Sequence, residues 1–143
     1  MDHVVFVEAS SKELEKILDG SKTIILRGAA GRKLPYGKVN TGDTLYFINN
    51  NGEGAIKASA TVQSVFNSEK MTPEESVNLI EKHEKALLLS EKQKVRFAGK
   101  RYIVLIEITK PKKIAAKNID KSNFSNMDDW LPVGNIEDVI VNN

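Results

Sequence analysis

The chain has 143 residues and no cysteine, and its 21 basic and 19 acidic residues leave a net charge of +2. That length supports one domain with a core of its own, residues 1–143, in which 118–143 form a C-terminal extension packing on the rest. The missing cysteines exclude disulfides, thiol nucleophiles and cysteine zinc sites, and they fit a reducing, cytoplasmic setting.

The N-terminus has no basic stretch ahead of an apolar run, so it does not read as a signal peptide. The longest apolar runs, such as Ile103 to Ile106, fall far short of the roughly 20 residues of a membrane span. No membrane partner is expected. Charge is unevenly placed. Lys92 to Lys113 holds eight cations against Glu107 alone, a local balance of +7, and Arg27 to Lys38 holds four cations and no acid. The stretch from Asn118 to Asn143 balances at −4. The two basic stretches would make one electropositive patch if the fold brings them together.

Taken in chain order, His3 to Ala9 is apolar and β-branched and predicts a strand. Ser10-Ser11-Lys12-Glu13 has the spacing of a capping box, in which the serine accepts from an orphan amide and the glutamate reaches back. Leu14, Ile17 and Leu18 follow at helical spacing, and Gly20 supplies the stop. Thr23 to Arg27 predicts a second strand. Gly28 to Thr41, with three glycines and Pro35, predicts a loop.

Thr44 to Asn50 is a strand with apolar residues on both faces, and Asn49 to Gly54 suits a hairpin turn. Ile56, Ala58, Ala60 and Val62 alternate with polar residues, the mark of a half-buried strand. Thr72-Pro73-Glu74-Glu75 is a second capping box with proline at the first helical position. Val77, Ile80, Leu87 and Leu88 mark the stripe of the helix it opens. Tyr102, Val104, Ile106 and Ile108 share one face of the strongest strand, and the chain then turns polar before a short apolar end. Short turns between strands and two inserted helices predict an α+β fold: a small, mostly antiparallel β-barrel with two main helices packed outside.

Several catalytic patterns fail. Gly31 to Val39 has five residues between its glycines where a P-loop has four, and Val39 where a magnesium-binding hydroxyl belongs. Gly28 to Gly31 has the spacing of a KH-domain loop without its helical setting. His83-Glu84 begins a metalloprotease string, yet Leu87 stands where the second histidine would. With two histidines and no cysteine, neither a metal nor another cofactor is expected.

The order of features resembles the ASCH domain of the PUA-like superfamily, over roughly residues 4–110. Its Gly-x-Lys-x-x-Glu-x-Arg motif maps onto Gly20, Lys22, Ile25 and Arg27, followed by the Gly/Pro loop, Gly42 to Phe47, and the Tyr102 to Ile108 strand. The resemblance implies a barrel with a cleft beside the motif that binds RNA, modified nucleosides or related ligands. One branch of the family hydrolyses N4-acylated cytidine with a lysine, a threonine and a glutamate, and a ribonuclease activity is reported in another. The lysine corresponds to Lys22. The threonine position is Ile25, which can neither attack nor relay a proton.

The expected function is therefore an RNA- or modified-nucleobase- or nucleoside-binding domain; the sequence leaves its oligomeric state open, with a monomer slightly favoured. Its ligand-binding residues would be Lys22, Arg27, Arg32, Lys33, Tyr46, Asn49 and Trp130. The alternative is a small amidohydrolase or ribonuclease with Lys22 as base. Thr23 would then supply the hydroxyl, and Glu75 the carboxylate, with Glu74 and Glu81 also in reach of that role. Two readings stay open at Asp128-Asp129-Trp130: a stacking wall beside the site, or an apolar plug that holds the C-terminal segment. In a regular strand Thr23, Ile25 and Arg27 face one way and Lys22 the other. The two cations share a cleft only if Lys22 lies in the turn or the strand is bulged.

Overall fold

The computed structural model describes residues 1–120 and 129–141. Strands β1 (Asp2–Val7), β2 (Ile24–Ala29), β3 (Thr44–Asn49), β4 (Ala55–Asn67), β5 (Tyr102–Asn118) and β6 (Trp130–Gly134) form one sheet in the order β2-β5-β4-β3-β1-β6. Every neighbouring pair is antiparallel except β1 and β3, which run parallel. The sheet curls into a half-barrel, the α+β architecture that the element order predicts. Helices α1 (Glu13–Leu18), α2 (Pro73–Lys82), α3 (Glu84–Leu87) and α4 (Glu91–Phe97) are inserted between strands, and a 3-10 turn covers Ile136–Asp138. No helix among the described residues is long and apolar enough to cross a membrane.

Period-two alternation explains the core. Val5, Val7, Ile25, Leu45, Phe47, Val62, Val104, Ile106, Ile108 and Trp130 come from all six strands and pack together with Leu14 and Ile17 of α1. Large residues of β3 face small ones of β4, with Leu45 opposite Ala60 and Phe47 opposite Ala58, so the curled inner face closes without overpacking. The other face of β2 and β5, Ile24, Leu26, Ile103 and Leu105, is covered by Ile80, Leu87 and Phe97 of the three later helices. A third cluster joins Val4, Ile48, Ile56 and Leu131 to Ile136 and Val139.

Two helical expectations change. Glu13 begins α1 directly after Lys12, which lies in the left-handed region (φ 59), and no side chain caps the helix. Ser10 is therefore too early to be the cap. The apolar pair Leu87-Leu88 does not prolong α2. That helix ends at Lys82, α3 is a single turn closed by Leu88 at φ 44, and α4 opens on a capping box of its own. Ser90 accepts from the Gln93 amide at 3.1 Å, and the Gln93 side chain accepts from the Ser90 amide at 3.1 Å. The C-terminal extension does more than pack on the barrel, because Trp130–Gly134 joins it as an edge strand.

A half-barrel leaves its edges β2 and β6 to be joined by side chains. Arg27 does this. Its guanidinium donates to the carbonyls of Leu26 at 2.9 Å and Phe6 at 2.7 Å, lies 3.3 Å from the Asp129 carboxylate, and sits over the Trp130 ring.

Candidate functional site

Lys22 is positioned by the turn that ends α1. Gly20 takes φ +82 without penalty, and the Lys22 amide then donates back to the Lys16 carbonyl at 3.0 Å. The strand begins only at Ile24, so Lys22 sits in the turn and escapes the alternation that would point it away from Arg27. Its side chain is 1% exposed. The ammonium donates to the Leu87 carbonyl and lies 3.5 Å from the Glu13 carboxylate. Burial lowers its pKa to about 8; Glu13 opposes the shift, and the nearby Arg27 charge adds to it. At neutral pH about one lysine in ten would then be the free amine.

The carboxylate beside Lys22 is Glu13, which the sequence reading assigns to a capping box. Glu13 is 3% exposed and accepts from the Glu8 amide at 2.8 Å and from the Gln93 side-chain amide at 3.3 Å. Gln93 thus does two tasks: its carbonyl oxygen closes the α4 cap, and its NH2 reaches Glu13. A glutamate could do the first but not the second. Ser90 extends the network by donating to Glu8 at 2.8 Å. Burial alone would raise the Glu8 pKa, but the Ser11 and Ser90 hydroxyls and the charges of Lys92 and Lys16 bring it below its ordinary value.

Two small cavities meet at Arg27, Arg96, Phe97 and Asp129. One, of about 110 Å³, is lined by Glu8, Glu13, Asn50 and Gln93 as well. The other, of about 50 Å³, runs along the loop from Gly28 to Tyr36 and includes Lys33. Arg96 lies 3.7 Å from Asp129 with its side chain 63% exposed, so a cation stands at the rim. Arg32 lies 5.6 Å from the Tyr36 ring centre and 5.7 Å from that of Tyr102, and the Tyr36 hydroxyl donates to the Ser68 carbonyl at 2.6 Å. The two basic stretches converge here, through Arg27 and Lys33 from one and Arg96 from the other, with Arg32 beside them over Tyr36 and Tyr102. Lys22, expected in the cleft lining, lines neither cavity and lies behind Glu13. Gly28 is closely packed: a Cβ there would lie 3.3 Å from the Lys100 side chain and 3.4 Å from Phe97, so the lysine would have to shift slightly to admit it.

Other expected site residues lie elsewhere. Trp130 is fully buried, and its indole N–H donates to His3 Nδ1 at 3.0 Å, while His3 Nε2 meets Asp43 at 2.8 Å. Because indole only donates, Nδ1 must be the acceptor and Nε2 carries the proton. Trp130 is the plug, and it presents no stacking wall. Burial pushes the Asp43 carboxyl up, yet the Asn40 amide and His3 more than offset this and hold it below the ordinary value.

Tyr46 is half-buried and lines a different cavity. It is Asn50, not Asn49, that lines the cleft. Thr23 is exposed, and Ile25 is buried in the inner core. Glu75 closes the α2 capping box with Thr72, accepting at 2.9 Å, and is exposed like Glu74 and Glu81. Asp128 lies outside the described residues.

The fold and cleft define a class: a curled α+β half-barrel whose seam is lined by cations and backed by a buried lysine–glutamate pair. No family model matches the chain, and no curated protein matches it. Solved structures do. The crystal structure of ASCH from Zymomonas mobilis superposes with a TM-score of 0.64 at 18% identity, over 92% of this chain and 88% of that one. Two single-residue mutants of the same protein match at TM-score 0.64 and 17% identity, covering 92% of this chain and 91% and 89% of theirs. The chain therefore has the fold of those ASCH structures.

Proposed function

We propose that the protein binds RNA or a modified nucleobase or nucleoside in the cleft between Glu13 and Arg96. The observation that carries this reading is the 110 Å³ cavity with three carboxylates (Glu8, the buried Glu13 and Asp129), two side-chain amides and two guanidinium groups on its walls. Only together with the adjoining cavity of about 50 Å³ does it reach the size that holds one six-membered ring, about 150 Å³ for benzene. Glu13 offers acceptor oxygens to ring or exocyclic N–H groups. Asn50 spends its carbonyl on the Ala9 amide at 3.0 Å, which leaves its NH2 as the donor. Arg96, Arg32 and Lys33 suit the phosphates that flank a base and contribute affinity rather than sequence selection.

The test is a titration of single-stranded RNA and of N4-acetylcytidine at two salt concentrations, with Arg96→Gln as the paired variant. Saturable binding that weakens with salt for RNA, and weakens again in the variant, supports the reading. No binding of either ligand at low salt overturns it.

A second reading is favoured by one observation, the Lys22 amine with its pKa near 8 beside Glu13. A buried lysine of that kind can act as a general base at neutral pH. The chain would then hydrolyse an N4-acylated cytidine or RNA. Ile25 has no hydroxyl and Thr23 is exposed, so the attacking group would be water in the cavity that Glu13 lines. Lys22, which lies behind Glu13, would take its proton only if that water reaches the pair. Incubation with N4-acetylcytidine followed by mass spectrometry, wild type against Lys22→Ala, decides it. Turnover that the variant loses supports hydrolysis, and no turnover by the wild type removes it for that substrate.

A further inference from the structure

The basic stretch ending at Lys113 is only partly used by the cleft. Beyond Lys110, which bends β5 at φ 53, the strand runs on against β4. There Lys113 pairs with Ala58 and Lys117 with Ile56, so five residues of β5 oppose three of β4. The surplus bulges out of the ladder, and such bulges re-aim the side chains they carry. The swollen segment forms one wall of a groove of about 410 Å³, within the size range of small-molecule sites. Ile114 and Ile140, both half-buried, supply apolar surface over the buried Ile56 and Ile136, and Tyr46 adds a half-buried aromatic ring. Lys112, Lys113 and Lys117 also line it, all exposed, against one carboxylate, Glu137. Among the described residues none of these three lysines has an ion-pair partner.

We propose that this groove is a second ligand site, sharing no residue with the cleft, for a phosphate-bearing nucleotide, either free or within an RNA strand. Lysine binds phosphate as a point charge, and three lysines against a single lining carboxylate favour an anion that carries more than one negative charge. The Tyr46 ring and the isoleucines suit the flat face of a base, and stacking of that kind tolerates any base. The lysines would hold the phosphate over the bulge.

The test follows backbone amide shifts of the full chain during titration with adenosine monophosphate, with adenosine, and with a single-stranded oligoribonucleotide. The variants are Lys112→Gln combined with Lys113→Gln, exposed changes that leave the core untouched, and Arg96→Gln in the cleft as control. The proposal expects saturable shifts at Tyr46, at 112–117 and at 136–140. Binding should weaken by at least about threefold in the double variant and be unchanged at these amides in Arg96→Gln. Shifts from the monophosphate identify a free nucleotide, and shifts from the oligonucleotide alone identify an RNA strand. The proposal is overturned if neither probe moves these amides. It is also overturned if adenosine binds as tightly as its monophosphate, or if the double variant binds like wild type.

Discussion

Replacing Lys22 with methionine keeps the length of the side chain and removes the charge that the fold buries. In the unfolded chain Lys22 holds its proton to about 10.5, and in the folded protein it releases it at about 8. Between those values the unfolded state binds more protons, so stability rises with pH there; below about 8 both states are charged and the burial cost is constant. At about 1.36 kcal/mol per pH unit, that gap corresponds to about 3 kcal/mol. Lys22→Met lacks this titration. It also leaves Glu13 without its ammonium partner, but Glu13 keeps the Glu8 and Gln93 donors, so the loss adds a constant offset over pH 7–10. Urea unfolding at intervals from pH 7 to 10.5 should show wild type gaining about 3 kcal/mol relative to the variant. Tyr46, whose ionisation is raised by burial and by Asp2 and Glu137, affects both proteins alike. Parallel profiles would refute the argument, because they would mean that Lys22 titrates as it does in water.

Gln93→Glu should preserve the α4 cap while setting a second carboxylate against Glu13, and the added negative charge should move the Lys22 titration above its value near 8. Side-chain NMR of Lys22 checks this, and an unchanged midpoint would remove Gln93 as a setter of that charge. Trp130→Phe deletes the donor to His3 Nδ1 and leaves a buried acceptor unpaired, which should lower stability by about 1–3 kcal/mol in urea unfolding. Glu75→Ala should lower Tm slightly through the lost capping contact and leave ligand binding and any turnover unchanged. A variant that folds normally but loses binding or turnover would return Glu75 to the site.

The parts of this molecule that the sequence makes legible are those governed by local periodicity. The alternation from Tyr102 to Ile108 and the box at Thr72 both appear in the structure as read. Ser90 to Gln93 has the same signature, but it follows the apolar pair Leu87-Leu88, which imitates a continuing helix until Leu88 enters the left-handed region. Tyr46 and Asn49 lie on a strand apolar on both faces, so alternation cannot say which side meets the cleft. The indole–imidazole bond joins residues 127 positions apart, and no local pattern announces it.

Glu13 is the instructive error, because its spacing from Ser10 satisfies a capping rule while its place on the helix contradicts one. Ile17 follows it by four residues, one turn along the same face, and Ile17 is fully buried. An acid on the apolar stripe is seldom buried unless a partner awaits it. An exposed cap would give the carboxylate one neutral amide. The buried position gives it an amide, a side-chain amide and an ammonium, which together outweigh the cap. Lys22 carries the reciprocal constraint, since a buried ammonium with no carboxylate beside it would be driven to the neutral form. The rule that finds the pair is thus to ask of each charge on a predicted apolar stripe which opposite charge the nearest turn can deliver. Here the helix stop at Gly20 delivers Lys22 to Glu13.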